Sequence, residues 1–211
     1  MYIPKHFEET RIDVLHHLIR SHPFGTLITI CDGEIAADHV PFLIEQSDGD
    51  FGTLKCHVAR SNPVWKTMSG NVESLVVFQG PDSYVSPSWY PSKHNHGKAV
   101  PTWDYIVVHA HGVPEAKNDK DWLLNHISRL SDTHEENKAI PWKVSDAPTE
   151  YINKMVGAIV GIEIPIIQLN GKWKVSQNRP RSDQVGVVAG LESEGSESAK
   201  AISKIIQKIG S

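Results

Sequence analysis

The stretch VFQGPDSYVSPSWYPSKHNHGKAVPTWDY, Val77 to Tyr105, concentrates the chain's largest side chains. It holds two of the six tryptophans, Trp89 and Trp103, three of the five tyrosines and four of the thirteen prolines. Large aromatic rings dominate core and interface energetics and proline fixes its own φ, so the pattern predicts a rigid apolar wall rather than a loose loop. The rest of the chain is expected to be arranged around it.

Upstream of this wall, Thr10 to Arg20 has the spacing of a helix, with Thr10 as N-cap and Ile12, Leu15, Leu18 and Ile19 on one face. Thr26–Ile30 and Ile35–Glu45 are β-rich runs around Asp32-Gly33, a hairpin signal, and Pro41 is expected to interrupt the second. QSDGD, Gln46 to Asp50, reads as another turn, and Phe51–Lys55 as a third strand. Asn62 and Pro63 then suit the N-cap and first position of a helix. Leu75–Gln79 and Tyr84–Trp89 read as two strands separated by a turn at Gly80-Pro81-Asp82, and Ser92–Lys98 as a polar loop.

Downstream, Tyr105–Val113 reads as a strand, Asp119–Leu130 as a helix, Leu130–Ser145 as a loop and Thr149–Met155 as a short helix. Ile159–Leu169 is a β-rich run broken by Pro165, followed by a turn at Asn170-Gly171 and a strand over Lys172–Val175. The tail from Ser196 to Ile209 alternates Ile202, Ile205, Ile206 and Ile209 with Lys200, Lys204 and Lys208, the solvated face of a C-terminal helix. Short strands with helices between and around them predict an α+β domain built on a β-barrel. Residues 1–190 are expected to form that domain and residues 191–211 a C-terminal linker and helix, since GLESEGSES is the one linker-like stretch.

The chain has 211 residues, enough for a substantial core, and a formal net charge of -4. That charge gives no electrostatic footprint for nucleic acid, and no helix-turn-helix can be placed, so direct DNA binding has no support from charge or motif. Two cysteines far apart, Cys31 and Cys56, suggest reduced thiols in the cytoplasm. No apolar run approaches the ~18 residues of a membrane span. Dinucleotide glycine motifs, a P-loop, a Gly-x-Ser-x-Gly elbow and Cys-x-x-Cys are all missing.

Two groups of residues could carry chemistry. In Lys55 to Asn62, KCHVARSN, a strand runs into a helix start, where backbone N–H groups, Ser61, His57 and Arg60 could converge on an anion, with phosphate the natural ligand. The alternative is an ordinary capped helix with Arg60 in a surface ion pair. The second group is histidine. His109 and His111 would share one face of a strand, as two metal ligands do, but no third ligand follows in suitable context, so no metal is expected. His94 and His96 fall in the polar loop.

HPFGTLIT, HVPF, HVARSNPVW, FQGPDSYVSPSWYPSK, VPTWDYIVVHAHG and KVSQNR resemble, in order and spacing, the PaiB-type FMN-binding negative transcriptional regulators. The resemblance extends to about Gly190. It implies an FMN-binding split β-barrel with peripheral helices, a homodimer and FMN near the subunit interface. It further implies that His57, Arg60 and Ser61 hold the FMN phosphate, that the strands carrying Thr26, Thr29, His39 and Pro41 line the isoalloxazine, and that Gln79, Trp89, Gln177, Asn178 and Arg179 form a second wall. This chain departs from the family pattern in carrying Asp104 where VPTWNY is usual, and in a longer SKHNHGK segment.

The function implied is negative regulation of transcription, of degradative-enzyme or sporulation genes, and the charge and missing DNA motif argue that such regulation is indirect or through partners. Two alternatives stay open. One is a flavin-dependent oxidoreductase or flavin reductase, in which the flavin performs the redox step. The other is a haem- or metal-binding split-barrel protein that uses the histidines.

Overall fold

The computed structural model describes residues 1–31, 33–46, 49–68 and 72–209. In chain order it contains β1 (Glu8–Glu9), α1 (Ile12–Ser21), β2 (Phe24–Cys31), β3 (Glu34–Pro41), β4 (Leu43–Glu45), β5 (Thr53–Ala59) and β6 (Ser74–Val85). There follow α2 (Lys93–His96), β7 (Thr102–Gly112), β8 (Glu115–Lys117), α3 (Lys120–Glu135), α4 (Thr149–Gly157), β9 (Ile159–Lys174), α5 (Arg181–Glu194) and α6 (Glu197–Ile209). Hydrogen bonding orders the strands β3-β2-β6-β7-β9-β5-β4, with β1 and β8 pairing on β9. The chain folds as two compact units, residues 16–78 with 109–169, and residues 1–15 with 79–108 and 170–211.

In the first of these units, β2 and β3 form the expected hairpin, Thr26 opposite His39 and Thr29 opposite Ala36, and β2 also pairs with β6, Thr26 opposite Val77. Asp32 of the hairpin turn lies outside the described residues, as do Ser47 and Asp48 of the second expected turn. Alternation sends Gly25, Leu27 and Thr29 to the buried face and Thr26 and Ile28 to the other. Phe42 and Phe78 meet edge to face there, centroids 5.4 Å apart, and a Cβ on Gly25 would stand 2.8 Å from Phe78. Pro41 ends β3, as its missing N–H requires.

The same unit contains a seven-residue ladder between β5 and β9, from Thr53 opposite Pro165 to Ala59 opposite Ile159. Leu54, Cys56 and Val58 point to the core, while Lys55, His57 and Ala59 point the other way. Helix α3 packs against that second face, where Gly161 leaves room for the Trp122 ring that a Cβ would overlap. Leu123 of α3 then buries with Ile152 and Val156 of α4.

In the other unit, β1 pairs with the end of β9, Glu9 opposite Gly171. The expected turn at Asn170-Gly171 does not form. Gly171 stays in the strand because the Glu9 carbonyl and Leu15 approach too closely for a side chain. Likewise β6 continues through Gly80-Pro81-Asp82 to Val85, and Pro87–Trp89 is a single 3₁₀ turn instead of a strand. Ser92–Lys98 contains the short α2.

Helix α5 continues through Gly190 to Glu194 and stops at Gly195, whose φ is +80°, and α6 starts at Glu197, so the stretch read as a linker is helical except at Gly195 and Ser196. Gly186 and Gly190 open one side of α5 to Trp89. Val187 and Leu191 bury, as do Ala199, Ile202 and Ile206 of α6. Ser198 Oγ donates to the Asp82 carbonyl at 2.6 Å and accepts from Asp82 N at 2.9 Å. Of the aromatic wall, Tyr90 is 1% exposed, whereas Trp103 is 54% exposed and meets Tyr84 edge to face.

Candidate functional site

Strand β5 delivers the segment from His57 to Asn62 into a tightly bonded turn. The Asn62 N–H donates to the Ala59 carbonyl at 2.9 Å, and Asn62 Oδ1 accepts from Val64 N, capping the 3₁₀ helix Pro63–Thr67. Asn62 Nδ2 donates to Asp38 Oδ1 of β3 at 2.6 Å, and Trp65 Nε1 to the Arg60 carbonyl at 3.0 Å. The helix start is therefore where the sequence put it. Its fixed backbone comes from the Asp38 partnership, which no local pattern announces.

Arg60 is committed to acceptors within the fold. Its Nε donates to the Gly157 carbonyl at 2.8 Å, Nη2 to the Ile159 carbonyl at 2.8 Å and Nη1 to Asn118 Oδ1 at 2.9 Å. A guanidinium at the C-terminus of α4 answers both the orphan carbonyls and the helix dipole. Arg60 is thus a clasp between distant segments, and among the described residues it forms no surface ion pair.

His57 is also committed within the fold. Its Nδ1 lies 3.1 Å from His126 Nε2, under α3, where Trp122 stacks on His126 with ring centroids 5.2 Å apart. Trp122 Nε1 donates to Glu163 Oε2 at 2.9 Å, so the helix face is tied to β9 as well. Burial holds both imidazoles below the ordinary histidine range, with the neighbouring His57 adding to the effect on His126, which falls to about 3. Of the segment singled out in the sequence, Ser61 is the side chain left exposed at the turn.

The strand residues divide by face. Thr26, His39 and Pro41 share one side of the β2–β3 hairpin, since Thr26 pairs with His39 and Phe24 with Pro41. Thr29 is on the opposite side, 6% exposed, with its Oγ1 lacking a hydrogen-bond partner. Thr29 cannot line the same surface as Thr26 and belongs to the core. The Thr26 side continues through Ile28, Ala37 and Val77 as a flat, half-open surface, apolar except for Thr26 and His39. Such a surface fits a planar aromatic ring system with a polar edge.

The residues expected in a second wall all belong to the other unit and do not form one group. Gln79 Nε2 donates to Asp82 Oδ2 at 3.1 Å, and Trp89 packs on α5. Gln177 closes on its own turn, its Oε1 accepting from Val175 N at 2.8 Å and its Nε2 donating to the Trp173 carbonyl. Asn178 is exposed, and the Arg179 guanidinium lies over the Tyr90 ring at 4.6 Å.

Sequence reasoning passed over a buried polar group beside them. Asp104, 1% exposed, accepts from Ser176 Oγ at 2.6 Å and lies 3.6 Å from Lys174 Nζ. Burial raises its carboxyl above the ordinary range, partly offset by Ser176 and Lys174. Ser176 holds a left-handed φ of 59° to make this contact. The departure from the usual asparagine was the one available signal.

His111 Nδ1 is 2.6 Å from Glu73 Oε1, and Glu115 pairs with Lys117 at 2.8 Å. His94 is exposed. Among the described residues no group of three or more His, Cys, Asp or Glu side chains is placed to hold a metal.

The model of a family described as "Putative FMN-binding domain" matches residues 1–168. The chain belongs to that FMN-binding family. Within reach of it is Protease synthase and sporulation protein PAI 2 of Bacillus subtilis, 31% identical over 207 residues, covering 98% of this chain and 97% of that protein. A protein of Emericella nidulans, AN0679, is 34% identical over 245 residues, covering 100% of this chain and 98% of its own length. The resemblance to PaiB-type proteins drawn from the motifs is thereby borne out.

Among solved structures, the FAD and heme binding protein from Mycobacterium smegmatis superposes with a TM-score of 0.61 at 17% identity, over 87% of this chain and 80% of that one. The conserved protein Rv2991 from Mycobacterium tuberculosis gives a TM-score of 0.60 at 12% identity, over 86% and 95%. At these identities the likeness concerns fold alone. It agrees with the expected α+β split-barrel class.

Proposed function

We propose that this FMN-binding split-barrel protein acts in negative regulation of transcription, as a cytoplasmic homodimer that holds its flavin near the subunit interface. The observation that carries the reading is the end-to-end relationship with PAI 2, whose name ties it to protease synthesis and sporulation. The net charge of -4 favours regulation through a protein partner over direct DNA contact. No helix among the described residues is long and apolar enough to cross a membrane.

In this reading Thr26, His39 and Pro41 support the isoalloxazine along the open face of β2 and β3, and Ser61 receives the phosphate through its exposed hydroxyl. Arg60 is a positioning residue that fixes the turn from behind. Asn178 and Arg179 stay candidates for the second wall. The flavin, when bound, supplies redox chemistry, and the chain supplies binding and orientation.

Purified protein titrated with FMN is expected to show saturable binding that Ser61→Ala and Thr26→Ala each weaken, with Thr29→Val leaving affinity unchanged. Equal loss at Thr29 would overturn the assignment of faces. Repression of a reporter that survives in a flavin-free variant would separate regulation from flavin binding. Steady NAD(P)H oxidation would instead indicate a flavin-dependent oxidoreductase, and a Soret band on adding haem a haem protein.

A further inference from the structure

A cleft of about 170 Å³ lies in the unit formed by residues 16–78 and 109–169, just past the Phe24–Pro41 end of the β2–β3 hairpin. Phe42, Leu43 and Ile44 form its floor. Arg20 from the last turn of α1, and Arg129 and His134 from α3, stand on its rim. Phe42 is 2% exposed and so offers only the edge of a packed ring, while Leu43 and Ile44, on opposite faces of the edge strand β4, are half-buried and border the opening from either side of that edge.

The charges on the rim are uneven. Arg129 Nη1 bonds Glu45 Oε2 at 2.7 Å, which orients the guanidinium and leaves its other N–H groups available. The Arg20 side chain has no hydrogen bond or ion pair among the described residues. Two guanidiniums and an imidazole thus line the cleft with apolar residues, and among the described residues its lining includes no carboxylate, Glu45 meeting Arg129 from outside it. A carboxylate is the ligand group that matches a guanidinium fork, and the floor calls for a compact body without polar groups.

We propose that this cleft binds a small organic monocarboxylate with an aromatic or branched aliphatic body, its carboxylate on Arg20 and Arg129 and its body on Leu43 and Ile44. The volume is below the ~300 Å³ of common ligand pockets, which limits the ligand to about ten non-hydrogen atoms. Arg20 sits at a helix C-terminus, whose partial negative charge offsets part of its field, so affinity is modest. The site gives an FMN-binding regulator a second input, and it stands whether or not the flavin assignments hold.

Benzoate titrated into uniformly ¹⁵N-labelled full-length protein tests this, with benzamide as the neutral control of the same shape. Saturable amide shifts are expected at Leu43, Ile44 and Thr133, with a dissociation constant of about 1 mM or below. Benzamide should bind at least fivefold more weakly, and Arg20→Gln should weaken benzoate about tenfold. Arg20 is exposed, so that variant retains the fold. Non-saturating shifts up to about 10 mM benzoate, equal binding of benzamide, or an unaffected Arg20→Gln variant would each overturn the proposal. Displacement of bound FMN by benzoate would do so too, because the ligand would then occupy the flavin site.

Discussion

His57 Nδ1 lies 3.1 Å from His126 Nε2, and for that contact to be a hydrogen bond one of the two nitrogens must be bare. Protonating both rings removes the acceptor. Burial depresses both pKa values, His126 to about 3, whereas an unfolded histidine titrates near ~6.5. Stability contributed by His126 is therefore complete above about pH 6.5 and is lost as pH falls from there toward 3, by up to about 1.4 kcal/mol per pH unit. Urea unfolding at pH 7, 6, 5 and 4 should show this slope. His126→Phe, which keeps the stack on Trp122, should flatten it while lowering stability at pH 7. A parallel pH dependence in the variant would refute the assignment.

Arg60→Ala removes three hydrogen bonds and leaves the Gly157 and Ile159 carbonyls unanswered. A loss of about 1–3 kcal/mol is expected. Lysine should not rescue it, since one ammonium cannot reproduce the planar fork. A denaturant midpoint equal to that of the wild type would show that the clasp contributes nothing.

Asp104→Asn keeps an acceptor for Ser176 and deletes a buried charge. The native carboxyl is raised, so it binds protons more tightly folded than unfolded, and stability falls as pH rises from about 3.9 through the raised native value. The variant should lack that fall and be more stable at pH 7 by about 1 kcal/mol. Thermal midpoints at pH 4 and pH 7 read this directly. A variant less stable at pH 7 would mean that the Lys174 pairing outweighs burial.

Gly161→Ala places a methyl group inside the Trp122 ring and must push α3 off the β5–β9 ladder. The expected cost is about 1–3 kcal/mol. Hydrogen exchange should speed up in α3 first. Uniform acceleration over the unit would argue for general unfolding instead.

What could be read without the structure was whatever depends on near neighbours. The period of Leu15, Leu18 and Ile19 marks α1, that of Ile202 and Ile206 marks α6, and the β2–β3 hairpin follows from its two β-rich runs. Reading failed where a distant strand overrode a local breaker. Pro81, Pro165 and Asn170-Gly171 look like interruptions, yet β6 and β9 run through them because ladder partners and close backbone approach decide the outcome.

The candidate site was legible in the same partial way. Asn62 as a cap depends on the next two residues and was readable. The contacts of Arg60 were not readable because its partners are 97 and 99 residues away, nor those of His57 because its partner lies on α3, 69 residues on. Thr26 and Thr29 looked equivalent in a short β run, but three residues along a strand is an odd step, and an odd step changes face.

The division of the chain into two interleaved units also fixes the order in which they can be completed. One unit has all its residues once Leu169 has been synthesised. The other begins with the first fifteen residues and must wait for the last helix. During translation the amino terminus therefore stays without its strand partners until Gly171 and Lys172 emerge. A ribosome stalled just after Leu169 has cleared its exit tunnel would present one unit ready to fold and the other without its segment from Asn170 onward.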